Sequence, residues 1–119
     1  MIGYPKQPIK RKRMRHPGSI LPEYGENICF LCALLYGDES QKKLLHTHHI
    51  FGGSANRKLS EQYGLTVRLC PEHHEYGSEA VHKNARTART LKEAGQEAFE
   101  RRYPELNFRE IFGRSYHEL

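Results

Sequence analysis

Large apolar side chains are scarce in this sequence. Leu, Ile, Val and Phe together make 25 of its 119 residues, about 21%, barely above the level below which chains tend to stay disordered. That length suits one domain with tails. Its core must be thin, and a compact fold with so little apolar mass usually needs a staple, such as a structural metal. Cysteine is also scarce and odd in number. Cys29, Cys32 and Cys70 cannot all pair within one chain, and nothing at the N-terminus resembles a signal peptide. These features argue against a secreted disulfide framework and lead us to expect a reducing, cytoplasmic setting. The longest apolar runs fall far short of the roughly 18 residues of a membrane span, so no membrane association is expected. No internal repeat is present.

Acidic residues are missing from the first 19 positions, which hold six cations: Lys6, Lys10, Arg11, Lys12, Arg13 and Arg15. The formal net charge of the chain is +5, yet the 13 basic and 14 acidic residues beyond that stretch leave −1. The basicity therefore belongs to an arm on a nearly neutral domain, an arrangement suited to a polyanionic partner. "MIGYPKQPIKRKRMRHPGSILPEYG" has four prolines, three glycines and no apolar period. It reads as an extended, mobile arm over residues 1–25, with the domain at 26–119.

Within the domain, "NICFLCALLYG" is a short apolar segment around a CxxC turn. "KKLLHTHHI" alternates Leu45, Thr47 and His49 with His46, His48 and Ile50, as a strand does. "FGGSANRKLSEQYG" reads as a loop with one helical turn from Ser60 to Tyr63, closed by Gly64. "LTVRLC" alternates again and predicts a second strand. Pro71 stands where a helix can begin, with Glu72 at its positive end. From about Arg86 to Tyr103, Ala88, Leu91, Ala94, Ala98, Phe99 and Tyr103 recur at helical spacing, with Lys92, Glu93, Gln96 and Glu97 on the outer side. Pro104 ends that helix. A further short helix is capped by Asn107 and stopped by Gly113, with Phe108, Ile111 and Phe112 packing back.

Two constellations carry chemistry. Cys29xxCys32 and Cys70xxHis73 each let two ligands reach one ion from a single tight turn, and together they supply the four N/S ligands of a structural Zn²⁺. A redox role for the CxxC is disfavoured because no βαβ pattern accompanies it. The second constellation is His48, His49 and His74, with His82 in reserve. Strand neighbours point to opposite faces, so one of His48 and His49 can bind an ion while the other addresses something else, unless Gly52 and Gly53 allow a bend. His74 follows His73 directly and projects about 100° away on a helix, toward a different ion. Eight residues of unbroken helix would set His82 roughly 12 Å from His74, so His82 can join that ion only if Gly77-Ser78 breaks the helix.

"CFLC", "HTHHIFGG", "LTVRLCPEHH" and "AVHKN", spanning Cys29 to Asn84, together resemble the HNH, or His-Me finger, endonucleases in their zinc-stapled branch. Phage nucleases of the Ref type are similar in using "HH" where many relatives have Asp-His. The resemblance implies an α+β fold. It consists of a small ββα-metal, treble-clef-like core with structural zinc at about residues 29–84, C-terminal helices at 86–113 and the basic N-terminal arm. It also implies that His49 is the general base and that His48 and His74, with His82, hold a catalytic Mg²⁺ or Mn²⁺. Imidazole changes charge close to neutral pH and suits such a base. The family's middle asparagine would fall five residues before Cys70, where this chain has Leu65. Asn56, Asn84 or a backbone carbonyl would then orient His49. His46 falls on the outer face or behind the ligands, and His16 and His117 look incidental.

The expected function is hydrolysis of phosphodiester bonds in DNA with little sequence preference, RNA presenting the same scissile chemistry. The alternative is a non-catalytic zinc-knuckle module that binds nucleic acid. Arg57, Lys58 and Arg68 are candidate phosphate contacts, and Lys10, Arg11, Lys12, Arg13 and Arg15 of the arm would bind phosphates non-specifically and salt-sensitively. A recombinase filament or another phage protein is a further partner suggested by the resemblance. Monomer and homodimer both stay open, with the C-terminal amphipathic helix expected to cover the domain's own sheet.

Overall fold

A computed structural model describes residues 18–22 and 24–117; the arm cations Lys10, Arg11, Lys12, Arg13 and Arg15, and His16, lie outside the described residues. The fold is a small α+β unit. Its elements run α1 (Phe30–Tyr36), β1 (His46–His49), α2 (Ser54–Gln62), β2 (Thr66–Leu69), a single π-helical turn (Glu72–Tyr76), α3 (Ala85–Arg102) and α4 (Phe108–Phe112). β1 and β2 pair antiparallel, with His46 opposite Leu69 and His48 opposite Val67. Strand alternation therefore puts His46 and His48 on the face that carries the buried Val67 and Leu69. Among the described residues no helix is long and apolar enough to cross a membrane.

The expected loop between the strands is instead mostly helical. α2 opens after Gly53, whose φ of +88° is a conformation that glycine adopts without the penalty of a Cβ. "SANRKLSEQ" has too few apolar residues to announce a helix, and a tertiary contact holds it. The buried Ser60 hydroxyl donates to the Phe51 carbonyl (2.9 Å) and accepts the Phe51 N–H (3.0 Å). The backbone groups freed where the chain leaves β1 are thus satisfied inside the protein.

The domain also begins earlier than composition suggests. Leu21 is buried in the core, Tyr24 lies against Phe30 at 5.7 Å, and the Ile20 N–H donates to the Gly64 carbonyl at 2.9 Å. Residues 18–22 therefore belong to the domain, because their few apolar side chains find the core that a thin sequence otherwise fails to fill.

The core gathers Ile50, Phe51, Leu65, Val67, Leu69, Leu91, Phe99, Phe108 and Phe112. Phe51 meets Phe108 and Phe112 at ring centroid distances of 5.2 and 4.9 Å, so α4 closes over the strand exit. α3 sends Leu91, Ala98 and Phe99 into this core, and a wider face of it is buried than periodicity predicts. Gln96, placed on the outer side by periodicity, is 2% exposed. Its Oε1 accepts the Tyr116 N–H at 2.6 Å, while its Nε2 donates to Glu100 Oε2 and Ser115 Oγ. The C-terminal segment wraps over this face of α3 and buries the amide. Gln96→Ala strands the Tyr116 N–H and opens a gap, so it is expected to destabilise the domain by about 1–3 kcal/mol in urea unfolding; an unchanged midpoint would refute the bonding role given to this amide.

Candidate metal centres and cleft

Cys29 caps α1, and its sulfur accepts the Cys32 N–H at 3.4 Å. The CxxC turn is thus the start of a helix. Cys70 directly follows β2 and His73 lies on the π-helical turn, so the two halves of the tetrad come from the start of α1 and from the β2 exit. All four side chains are buried and no disulfide joins the cysteines.

The separations fit one tetrahedral ion. Zn–S near 2.3 Å and Zn–N near 2.0–2.1 Å require S···S of about 3.8 Å and S···N of about 3.6 Å. Cys32 Sγ to Cys70 Sγ is 3.8 Å, and His73 Nδ1 lies 3.7, 3.3 and 3.6 Å from the sulfurs of Cys29, Cys32 and Cys70. Burial, Cys29 and Cys70 push the Cys32 thiol up to about 12, so three thiolates share this space only with a cation among them. Burial likewise lowers His73 below the ordinary imidazole range, keeping its lone pair available. The buried Cys₃His cluster is compatible with a structural metal such as zinc.

A backbone device gathers the histidines. The π-helical turn closes with the Gly77 N–H on the Glu72 carbonyl at 2.8 Å, and the chain then reverses so that the Val81 N–H donates to the His73 carbonyl at 2.8 Å. A Cβ on Gly77 would stand 2.7 Å from the Glu72 carbonyl oxygen, so only glycine fits there. The helix breaks at this point, meeting the condition on which His82 depended. His82 Nε2 comes to 3.2 Å from His74 Nε2. The His48 ring lies 5.3 Å from that of His74 and 5.2 Å from that of His82. One nitrogen of each lies within 4.8 Å of the other two. Burial first, then the neighbouring His74 and His82, hold His48 down at about 4; burial and His82 lower His74 as well. Both rings are neutral at pH 7 and can donate lone pairs to a cation.

These rings line an open cleft of about 460 Å³ with His49, Arg57 and Lys92. His49 thus shares the cleft with His48 although the two are strand neighbours, because β1 ends at His49 and the chain bends there. Its Nε2 lies 3.6 Å from Glu61 Oε2 on α2. Asn84 does not reach it: its side chain caps α3 by accepting the Thr87 N–H and donates to the Ser78 carbonyl. Glu61 and Lys92 were not singled out from the sequence. Glu61 escaped because α2 itself was not foreseen, and Lys92 because it was read as facing solvent. Its position four residues after Ala88, which also lines the cleft, is the signal that would have found it.

The other candidates separate. Arg57 lies on the cleft wall, and Lys58 is exposed outside it. Arg68 pairs with Thr47 in the sheet and lines a groove with Tyr24 on the opposite face from His48. His46 is neither outward nor idle, lying 2.9 Å from His74 through the two Nδ1 atoms. His117 sits near Glu100, at 3.5 Å, away from the cleft. Comparison of the chain with protein-family models, with curated proteins and with solved structures finds no match.

Proposed function

We propose that the protein is a metal-dependent endonuclease of the HNH, or His-Me finger, type, with a ββα-metal, treble-clef-like core, that hydrolyses phosphodiester bonds in DNA with little sequence preference. The observation that carries this reading is the convergence of His48, His74 and His82 on one point of a cleft that also holds His49 and the cations Arg57 and Lys92. A zinc-knuckle binder has no need of a second, open cluster of imidazoles beside a closed tetrad.

A bound ion would polarise the scissile phosphate and stabilise charge developing on it and on the leaving oxygen. His49, oriented by Glu61, takes a proton from water. The resulting hydroxide attacks phosphorus in line as the bond to the 3′ oxygen breaks, and that oxygen takes a proton from bulk water, giving a 5′-phosphate and a 3′-hydroxyl. Arg57 and Lys92 hold the strand through its phosphates, and the arm adds salt-sensitive attraction.

The donor set bears on which ion acts. Three imidazoles suit Co²⁺, Ni²⁺ or Zn²⁺, with Mn²⁺ weaker, whereas Mg²⁺ prefers oxygen ligands. Mg²⁺, expected from the resemblance, fits this cluster poorly. Supercoiled plasmid incubated with the zinc-loaded protein should be nicked with Mn²⁺, Co²⁺ or Ni²⁺ and much less with Mg²⁺. His48→Ala and His82→Ala should abolish nicking while leaving the tetrad zinc in place. DNA binding with no strand scission in any of these ions would sink the enzyme and leave the binding module.

A further inference from the structure

His74 shows its two ring nitrogens to different neighbours. Nε2 faces His82 at 3.2 Å. Nδ1 lies 2.9 Å from His46 Nδ1 and 3.5 Å from Glu75 Oε2. His46, His74 and Glu75 also gather within 4.8 Å, which on donor type alone resembles a second ion site. The chemistry of the shared ring decides otherwise. A neutral imidazole carries one N–H and one lone pair, so an ion held through Nε2 leaves Nδ1 as a hydrogen-bond donor, and a protonated nitrogen is no ligand. Beside that nitrogen lie His46 Nδ1 at hydrogen-bond distance, able to accept in one of its tautomers, and the Glu75 carboxylate at 3.5 Å.

We propose that His46, seconded by Glu75, accepts the Nδ1 proton of His74 and so fixes His74 in the tautomer that presents Nε2 to the cleft ion. His46 and Glu75 are positioning residues, acting through His74. The strand makes this economical: His46 lies two positions before His48 and on the same face, so β1 supplies one ligand directly and steadies another. The two rings meet edge-on, with centroids 5.0 Å apart at 69°, which lets the Nδ1 atoms approach without the rings overlapping. Partners behind a ligating histidine orient the ring and raise its basicity.

This rests on the cleft binding an ion, but it is tested without cleavage. Zinc-loaded full-length protein is titrated with Co²⁺ and followed by its visible absorption. His46→Ala is expected to weaken Co²⁺ binding ~10- to 100-fold, with tetrad zinc content and Tm unchanged. His46→Asn, whose Oδ1 stands near the position of the imidazole Nδ1, is expected to restore most of the affinity, and Glu75→Gln to cause a smaller loss. Unchanged affinity in His46→Ala, or equal weakness of the Ala and Asn variants, overturns the assignment. So does uptake of two Co²⁺ by the wild type and one by His46→Ala, since His46 would then be a ligand of its own ion. If no Co²⁺ binds at all, the cleft reading fails on its own. Long-range ¹H–¹⁵N NMR of the zinc-loaded protein still decides the tautomer: the proton on Nδ1 of His74 supports the proposal, and a proton on Nε2 in the wild type refutes it.

Discussion

Stripping with a chelator any ion held by the buried Cys29, Cys32, Cys70 and His73 cluster, which is compatible with a structural metal such as zinc, is expected to unfold this domain rather than merely to loosen it. Structural zinc sites contribute apparent binding free energies of about 10–16 kcal/mol at pH 7, whereas the net stability of a whole domain is about 5–15 kcal/mol. Besides the cysteines, only Phe30, Leu31 and Ala33 bury α1 in the core. Cys29→Ser should act alike, since Cys29 both offers a ligand and caps α1. Circular dichroism and thermal melts, read alongside zinc content, check this: a folded, cooperative melt after zinc has been removed would show that the tetrad is ornamental. Acid should work in the same direction. His48 is held at about 4, and His73 and His74 lie below the ordinary 6.5. As pH falls below about 6.5 the unfolded chain takes up protons that the folded chain refuses, so stability declines toward pH 4.

The second large effect concerns His49. His49→Ala is expected to lower the rate of DNA cleavage by ~10²- to 10⁴-fold, the usual worth of a positioned general base, with Co²⁺ affinity and zinc content as in the wild type. His48→Ala, by contrast, should lose ion and cleavage together. Glu61→Gln should fall between wild type and His49→Ala, because it keeps the base and weakens its orientation. Cleavage by His49→Ala at the wild-type rate would remove His49 from the mechanism while leaving the ion cluster intact, and the base would have to be sought elsewhere in the cleft.

How much of this was written in the sequence depends on the range of the interaction. Strand alternation and the punctuation by Pro104, Asn107 and Gly113 are local signals; they placed β2, α3 and α4 within a residue or two, and β1 as the His46–His49 part of a longer predicted stretch. The tetrad was legible because each pair of ligands sits on one turn, so spacing alone encodes the geometry. α2 was hidden because its stability comes from Ser60 bonding to Phe51, nine residues away, and its sequence carries no apolar stripe. Gln96 was misplaced for a related reason: periodicity reports which residues are apolar, and a buried amide satisfied by the C-terminal chain is not. The meeting of His74 and His82 depends on a bond from Val81 to His73 across a broken helix, and no periodic pattern announces such a reversal.

The π-helical turn sets one further condition. His73 belongs to the buried tetrad and His74 to the cleft cluster, so a single peptide link joins the two candidate metal sites. An ion bound at one would bias the ring orientation at the other, and by thermodynamic reciprocity whatever the first does to the affinity of the second is returned in equal measure.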